Sequence, residues 1–212
     1  VPVVSLIQKG EKTDVFALLK NGAFWVLFFM MIMSGAAEQS MSQWASAFAE
    51  KGLSVSKTLG DLLGPCLFAF CMAVARTGYG KFSEKIRLET FMIYSGVLCV
   101  FSYLGASLFG VPWLALICCG ICGFSVGIFW PGTYSVAAKT IPKGKTAMFA
   151  LLAFAGDIGC MIGPTMVGLL SDAIDGSLKT GLLFGVIFPA LLMFGVFIII
   201  KTRNRNEKLQ HL

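Results

Sequence analysis

Few side chains in this chain can do chemistry, and most of them lie inside long apolar stretches. Glu38 is near the middle of one, on Gly35-Ala36-Ala37-Glu38-Gln39-Ser40-Met41-Ser42-Gln43-Trp44. A carboxylate at the centre of a bilayer costs at least about 2.5 kcal/mol on insertion scales, and acids found there are functional by default. Such a group takes up and releases a proton as water access alternates, or it binds a polar solute. The competing reading is a structural carboxylate satisfied by a neighbouring helix. Gln39 and Gln43 are four apart and share a helix face. Glu38, Ser42 and Ala45 form the adjacent face. The stripe suits hydrogen bonding to a hydroxylated or zwitterionic solute, with polar helix-to-helix contacts as the alternative.

A second acid, Asp157, lies near the middle of a later stretch. Ala155, Gly159 and Gly163 repeat there at four-residue spacing, and small residues let helix backbones approach closely. Helical geometry puts Gly159 about 200° around the axis from Asp157, so the packing face and the acid point different ways. Asp157 then faces a cavity or a domain interface. Pro164 removes an intrahelical bond and should bend that helix. Trp130 and Tyr134, four apart, can stack on a solute ring or form a packed aromatic pair, and Pro131-Gly132 between them predicts a kink or local unwinding. Asp61 reads as an acid favoured near a helix N-terminus. Arg76 reads as a cation that snorkels towards an interface, with anion binding as the lesser alternative.

The elements that must position these residues follow from composition. Of 212 residues, 57% are hydrophobic and 13% charged. Soluble domains carry roughly 25% charge, so the chain reads as an all-α membrane protein. Six stretches reach the ~20 apolar residues that a span needs: 23–48, 59–82, 88–109, 112–138, 146–170 and 180–200. None alternates as barrel strands do, and helices are then the viable spanning structure. Residues 1–22 read as the end of a linker and 201–212 as a basic tail. The net charge of +6 does not imply nucleic acid, because the cations sit in short runs between spans. Fourteen Lys and Arg fall on one side, from Lys9, Lys12 and Lys20 through Lys201 and Arg203. Three, Lys51, Lys57 and Lys179, fall on the other. The basic side, with both termini, is therefore expected in the cytoplasm. The seven cysteines lie in apolar stretches and read as packing residues, including Cys118-Cys119-x-x-Cys122. No metal ligand set, phosphate loop or catalytic signature is apparent, so neither a cofactor nor an enzyme is expected.

Polarity differs between spans. The third holds little beyond Ser95, Ser102, Tyr103 and Ser107, and residues 181–200 carry no polar side chain. The third and sixth spans are accordingly expected outermost, with the others lining an interior. That gives two triplets of opposite orientation, the inverted-repeat pattern of secondary transporters.

Gly80-Lys81-Phe82-Ser83-Glu84-Lys85-Ile86-Arg87, at the turn after the second span, resembles the Gly-x-x-x-Asp-Arg-x-Gly-Arg-Arg/Lys loop of the major facilitator superfamily. Gly80 matches, Glu84 and Lys85 stand where that loop has Asp-Arg, and the later glycine is missing. Gly159 to Gly168, with Gly163-Pro164, resembles the family's glycine-proline helix. The resemblance implies the carboxy-terminal six-helix half of a twelve-helix transporter in the plasma membrane, partnered by its amino-terminal half. It places Glu38, Gln39, Gln43, Trp130 and Tyr134 at the central cavity, and makes the Gly80 loop a charged latch. The expected activity is proton-coupled symport of a small polar solute by alternating access. The alternatives are a drug or metabolite efflux antiporter, and a non-transporting scaffold or receptor.

Overall fold

A computed structural model describes residues 15–53, 56–82, 86–174 and 176–210. Among them are nine α-helices, one 3-10 turn and no strand. A short α1 (Val15–Leu19) precedes α2 (Gly22–Leu53), which holds the first span. The second and third spans are α3 (Lys57–Phe82) and α4 (Leu88–Leu108). The fourth is α5 (Pro112–Val126) continued by α6 (Phe129–Thr140), and the fifth is α7 (Lys145–Ile174). The sixth is α8 (Leu178–Gly185) continued by α9 (Ile187–Gln210). All six are long and apolar enough to cross a membrane. Helix is forced because lipid offers no partner to a backbone N–H or C=O. The basic segment after Ile200 continues α9 as helix. Pro112 opens α5, where its missing N–H costs nothing. Gly176, at φ 69°, closes the turn after α7 in the left-handed region that suits glycine.

Proline decides where spans break. A proline cannot donate to the carbonyl four residues earlier, and its ring crowds that carbonyl. The fourth span breaks at Gly127–Ile128, one turn before Pro131, and Pro131 itself lies inside α6. The sixth breaks at Val186, just before Pro189. By contrast α7 runs unbroken through Pro164.

Packing follows a pseudo-two-fold exchange of the triplets. The first span packs on the fifth as the fourth packs on the second, and the first meets the sixth as the third meets the fourth. The third and sixth spans also pack together. The fold is an all-α six-helix bundle of two inverted three-helix repeats.

The expectation that the third and sixth spans lie outermost needs correction within this chain. The second and fifth are the least buried, and the third is as buried as the first. Polarity misled because a helical serine can satisfy its hydroxyl on its own helix. Ser102 donates to Leu98 O at 2.8 Å and Ser107 to Tyr103 O at 2.7 Å. The small residues of α4 admit it to the bundle, where Tyr103 is fully buried and donates to Ala37 O at 2.7 Å.

Candidate functional site

The site is assembled on α2, whose mid-span backbone lies against α7 with almost no side chain between. A Cβ on Gly159 would stand 2.0 Å from Ile32 O, one on Gly163 2.6 Å from Ala36 O, and one on Gly35 2.2 Å from Gly156 O. This small-residue contact fixes the depth and rotation of α2, and hence of Glu38 and Gln39, which are half-buried. Gln43, a little over one turn further, is exposed. On α7 the packing glycines are buried while Asp157 is exposed. Asp157 thus points away from the α2 contact.

Glu38 meets a cation from the second span. Arg76 Nη2 lies 4.0 Å from Glu38 Oε2, an ion pair too long for a direct hydrogen bond. Arg76 is held by its other nitrogen, since Nε donates to Gly127 O at 3.1 Å. That carbonyl is the one Pro131 leaves without a helical donor, being four residues before it. The proline that breaks the fourth span therefore creates the acceptor that anchors Arg76. The sequence suggests a snorkelling arginine at this position. The structure instead turns it back onto the fourth span and towards Glu38. The orphaned Gly127 carbonyl was a readable signal, but its donor, 51 residues away, was not.

Trp130 lies across Gly156, where a Cβ would come within 2.4 Å of the indole. Its ring is 6.4 Å from that of Tyr134 at 56°, and Tyr134 is 5.8 Å from Phe149. The two candidate stacking residues therefore form a tilted, half-buried aromatic row. Tyr134 and Cys160 are within electrostatic reach of Asp157, and Cys160 is within reach of Glu38 as well. Glu38, Arg76, Trp130, Tyr134 and Asp157 are thus brought into one neighbourhood by α2, α3, α6 and α7. Asp61 sits apart, near the other end of α3, and accepts a hydrogen bond from Ser46.

Among the described residues, four buried polar atoms have no hydrogen-bond partner: Glu38 Oε2, Ser40 Oγ, Trp44 Nε1 and Trp130 Nε1. Buried polar groups are nearly always paired, so each orphan calls for an explanation. All four are on α2 or α6. Of these, Glu38 Oε2 faces the Arg76 guanidinium, Trp130 lies across Gly156, and Ser40 and Trp44 face Gly163 and Gly168 of α7.

At the basic end, Gly80 is exposed near the end of α3, while Glu84 and Lys85 of the loop motif lie outside the described residues. Nearby, Arg203 Nη1 donates to the buried Glu89 Oε1 at 2.5 Å, tying the end of the sixth span to the start of the third. Tyr79 stacks on Phe91 at 5.0 Å beside this tie. Cys99, Cys118, Cys119 and Cys122 pack in the core, with Cys119 Sγ donating to Met41 Sδ at 3.4 Å, whereas Cys71 and Cys160 are half-buried and Cys66 is exposed.

The family model described as Major Facilitator Superfamily matches residues 4–164 and 66–211 of the chain. No curated protein matches it.

Proposed function

The chain belongs to the Major Facilitator Superfamily, and from that premise we propose that it moves a small polar solute across a membrane by alternating access, coupled to protons. Membership makes it a multi-pass membrane transporter in general. The coupling rests on one observation above others. Glu38 is an acid in mid-span whose Oε2 is buried, has no hydrogen bond among the described residues, and is faced by Arg76 at 4.0 Å. An acid so placed can occupy two states. Ionised, it is compensated by the guanidinium. Protonated, it no longer needs that partner. Alternating access gives each state contact with a different side of the membrane.

Gln39, Trp130 and Tyr134 are the proposed solute contacts, with Asp157 as a second acid on the same face. The least buried spans, α3 and α7, present Leu62, Phe70, Phe154, Met161 and Leu169 outwards. A second six-helix bundle, the amino-terminal half of the same protein, would cover such faces and close the solute cavity. The excess of Lys and Arg on one side favours cytoplasmic termini, and the plasma membrane is the proposed location. The testing experiment is uptake of a solute panel by the full-length protein in sealed vesicles, with and without an imposed proton gradient. Accumulation of a solute that depends on the gradient supports symport. Movement indifferent to the gradient refutes the coupling.

A further inference from the structure

We propose that Arg76 is the anion-recognising residue of this site and that the transported solute carries a carboxylate, which replaces Glu38 as the partner of the guanidinium. The inference rests on the proton-coupled reading above and adds the solute's chemical class.

Three features carry it. First, Arg76 is anchored but not consumed. Nε is held on Gly127 O, leaving the two terminal nitrogens, of which Nη2 faces Glu38 Oε2 at 4.0 Å. That fork matches a carboxylate in geometry, which a lysine would not do. Second, the cation is the more exposed partner of the pair. The Arg76 side chain is 46% exposed and that of Glu38 15%. The guanidinium is therefore the member of the pair more open to a solute. Third, the pair is held apart. At 4.0 Å it forms an ion pair without a hydrogen bond, and Glu38 Oε2 has no hydrogen-bond partner among the described residues. Glu38 thus compensates Arg76 electrostatically without occupying its hydrogen-bonding capacity.

Charge balance then selects the solute. When Glu38 takes a proton on Oε2, Arg76 loses its counter-charge. The other groups near Glu38 cannot replace it. Cys122 from α5 and Cys160 from α7 are thiols, and residues 181–200 of the sixth span carry no charge. Asp157 is exposed and lies beside Tyr134, with no ion pair to Arg76 among the described residues. A neutral solute would leave the guanidinium without a counter-charge. A carboxylate restores the pair. One proton and one anion load together and the site's net charge does not change. No covalent bond forms or breaks. Release of the proton on the other side re-forms the Glu38–Arg76 pair and expels the anion, so the cycle is electroneutral.

The test uses the full-length protein in proteoliposomes with an inward proton gradient. The radiolabelled probes are lactate, gluconate and glucuronate, with glycerol, sorbitol and glucose as neutral counterparts. Accumulation of at least one acid, without its neutral counterpart, is expected. Arg76→Gln should reduce that uptake at least about tenfold, the loss expected from one charged hydrogen-bonding partner. Arg76→Lys should raise KM more than it lowers the maximal rate. A potassium diffusion potential of either sign should leave wild-type accumulation unchanged. The melting temperature of each variant separates loss of recognition from loss of fold. The proposal is overturned if neutral probes accumulate as well as acids, or if no acid is taken up. It is equally overturned if a folded Arg76→Gln protein keeps its acid uptake, or if accumulation follows the potential. Proton-driven uptake of a neutral probe would overturn it while sparing the coupling reading. Acid uptake that needs Arg76 but ignores the gradient would sink the coupling reading instead.

Discussion

Replacing Gly159 with alanine should separate the two helices that build the site. The added Cβ would stand 2.0 Å from Ile32 O, where ordinary contact begins at 3.4 Å, so about 1.4 Å must be found. The obstructing atom is backbone of α2, which cannot rotate away as a side chain can. Ala36 N is only 3.0 Å from the same Cβ, so sliding along α2 gives little relief. Overpacking of this kind costs about 1–3 kcal/mol. At this chain length that corresponds to a melting point lower by roughly 2–12 °C. Gly168→Ala is the matched control on the same helix, because its Cβ meets only Trp44, at 3.6 Å. Thermal unfolding of purified protein in one detergent, followed by tryptophan fluorescence, reads both variants. If Gly159→Ala melts with wild type, or no lower than Gly168→Ala, the close backbone contact between α2 and α7 is wrong.

Three further outcomes follow from the same contacts. Pro131→Ala returns a helical donor to Gly127 O and should make Arg76 less necessary. A double-mutant cycle of Pro131→Ala with Arg76→Gln should show a coupling of about 0.5 kcal/mol or more in stability, whereas strict additivity would deny the shared carbonyl. Tyr103→Phe removes the bond to Ala37 O from a fully buried ring and should cost about 1 kcal/mol by thermal unfolding, with no loss meaning that the bond is not formed. Arg203→Ala leaves the buried Glu89 carboxylate without the guanidinium and should destabilise by about 1.5–3 kcal/mol. Glu89→Gln, which removes the charge but not the acceptor, should cost less in the same assay, and the reverse order would contradict the ion pair.

The six spans were legible because a bilayer admits little else. Each needs about 20 apolar residues, and helices satisfy their own backbones. Local geometry was legible too, since helical arithmetic alone separates Asp157 from Gly159 around α7. Which span lies where was harder. Serines in α4 made the third span look merely less polar than its neighbours, and nothing in the sequence said that Tyr103 would reach Ala37. The break in the fourth span could be expected near Pro131, but it falls one turn earlier because the affected carbonyl is that of Gly127. In the sequence Arg76 reads as a snorkelling cation, with anion binding as the lesser alternative, and its partners were not legible. Its two partners, Glu38 and Gly127, come from two other helices, and a single sequence carries no record of that meeting. The apolar context suggested a cation escaping to an interface, whereas an acid and an orphaned carbonyl hold it where it is.

The claim on which the account turns is that Glu38 carries the coupling proton. The most direct test compares wild type with Glu38→Gln in proteoliposomes, measuring both gradient-driven accumulation and counterflow exchange of the transported solute. The glutamine keeps shape and hydrogen-bonding capacity but cannot exchange a proton. Accumulation should be abolished at unchanged protein abundance, while exchange, which needs no net proton movement, persists. A Glu38→Gln protein that still concentrates solute against its gradient would contradict the account and return Glu38 to a structural acid.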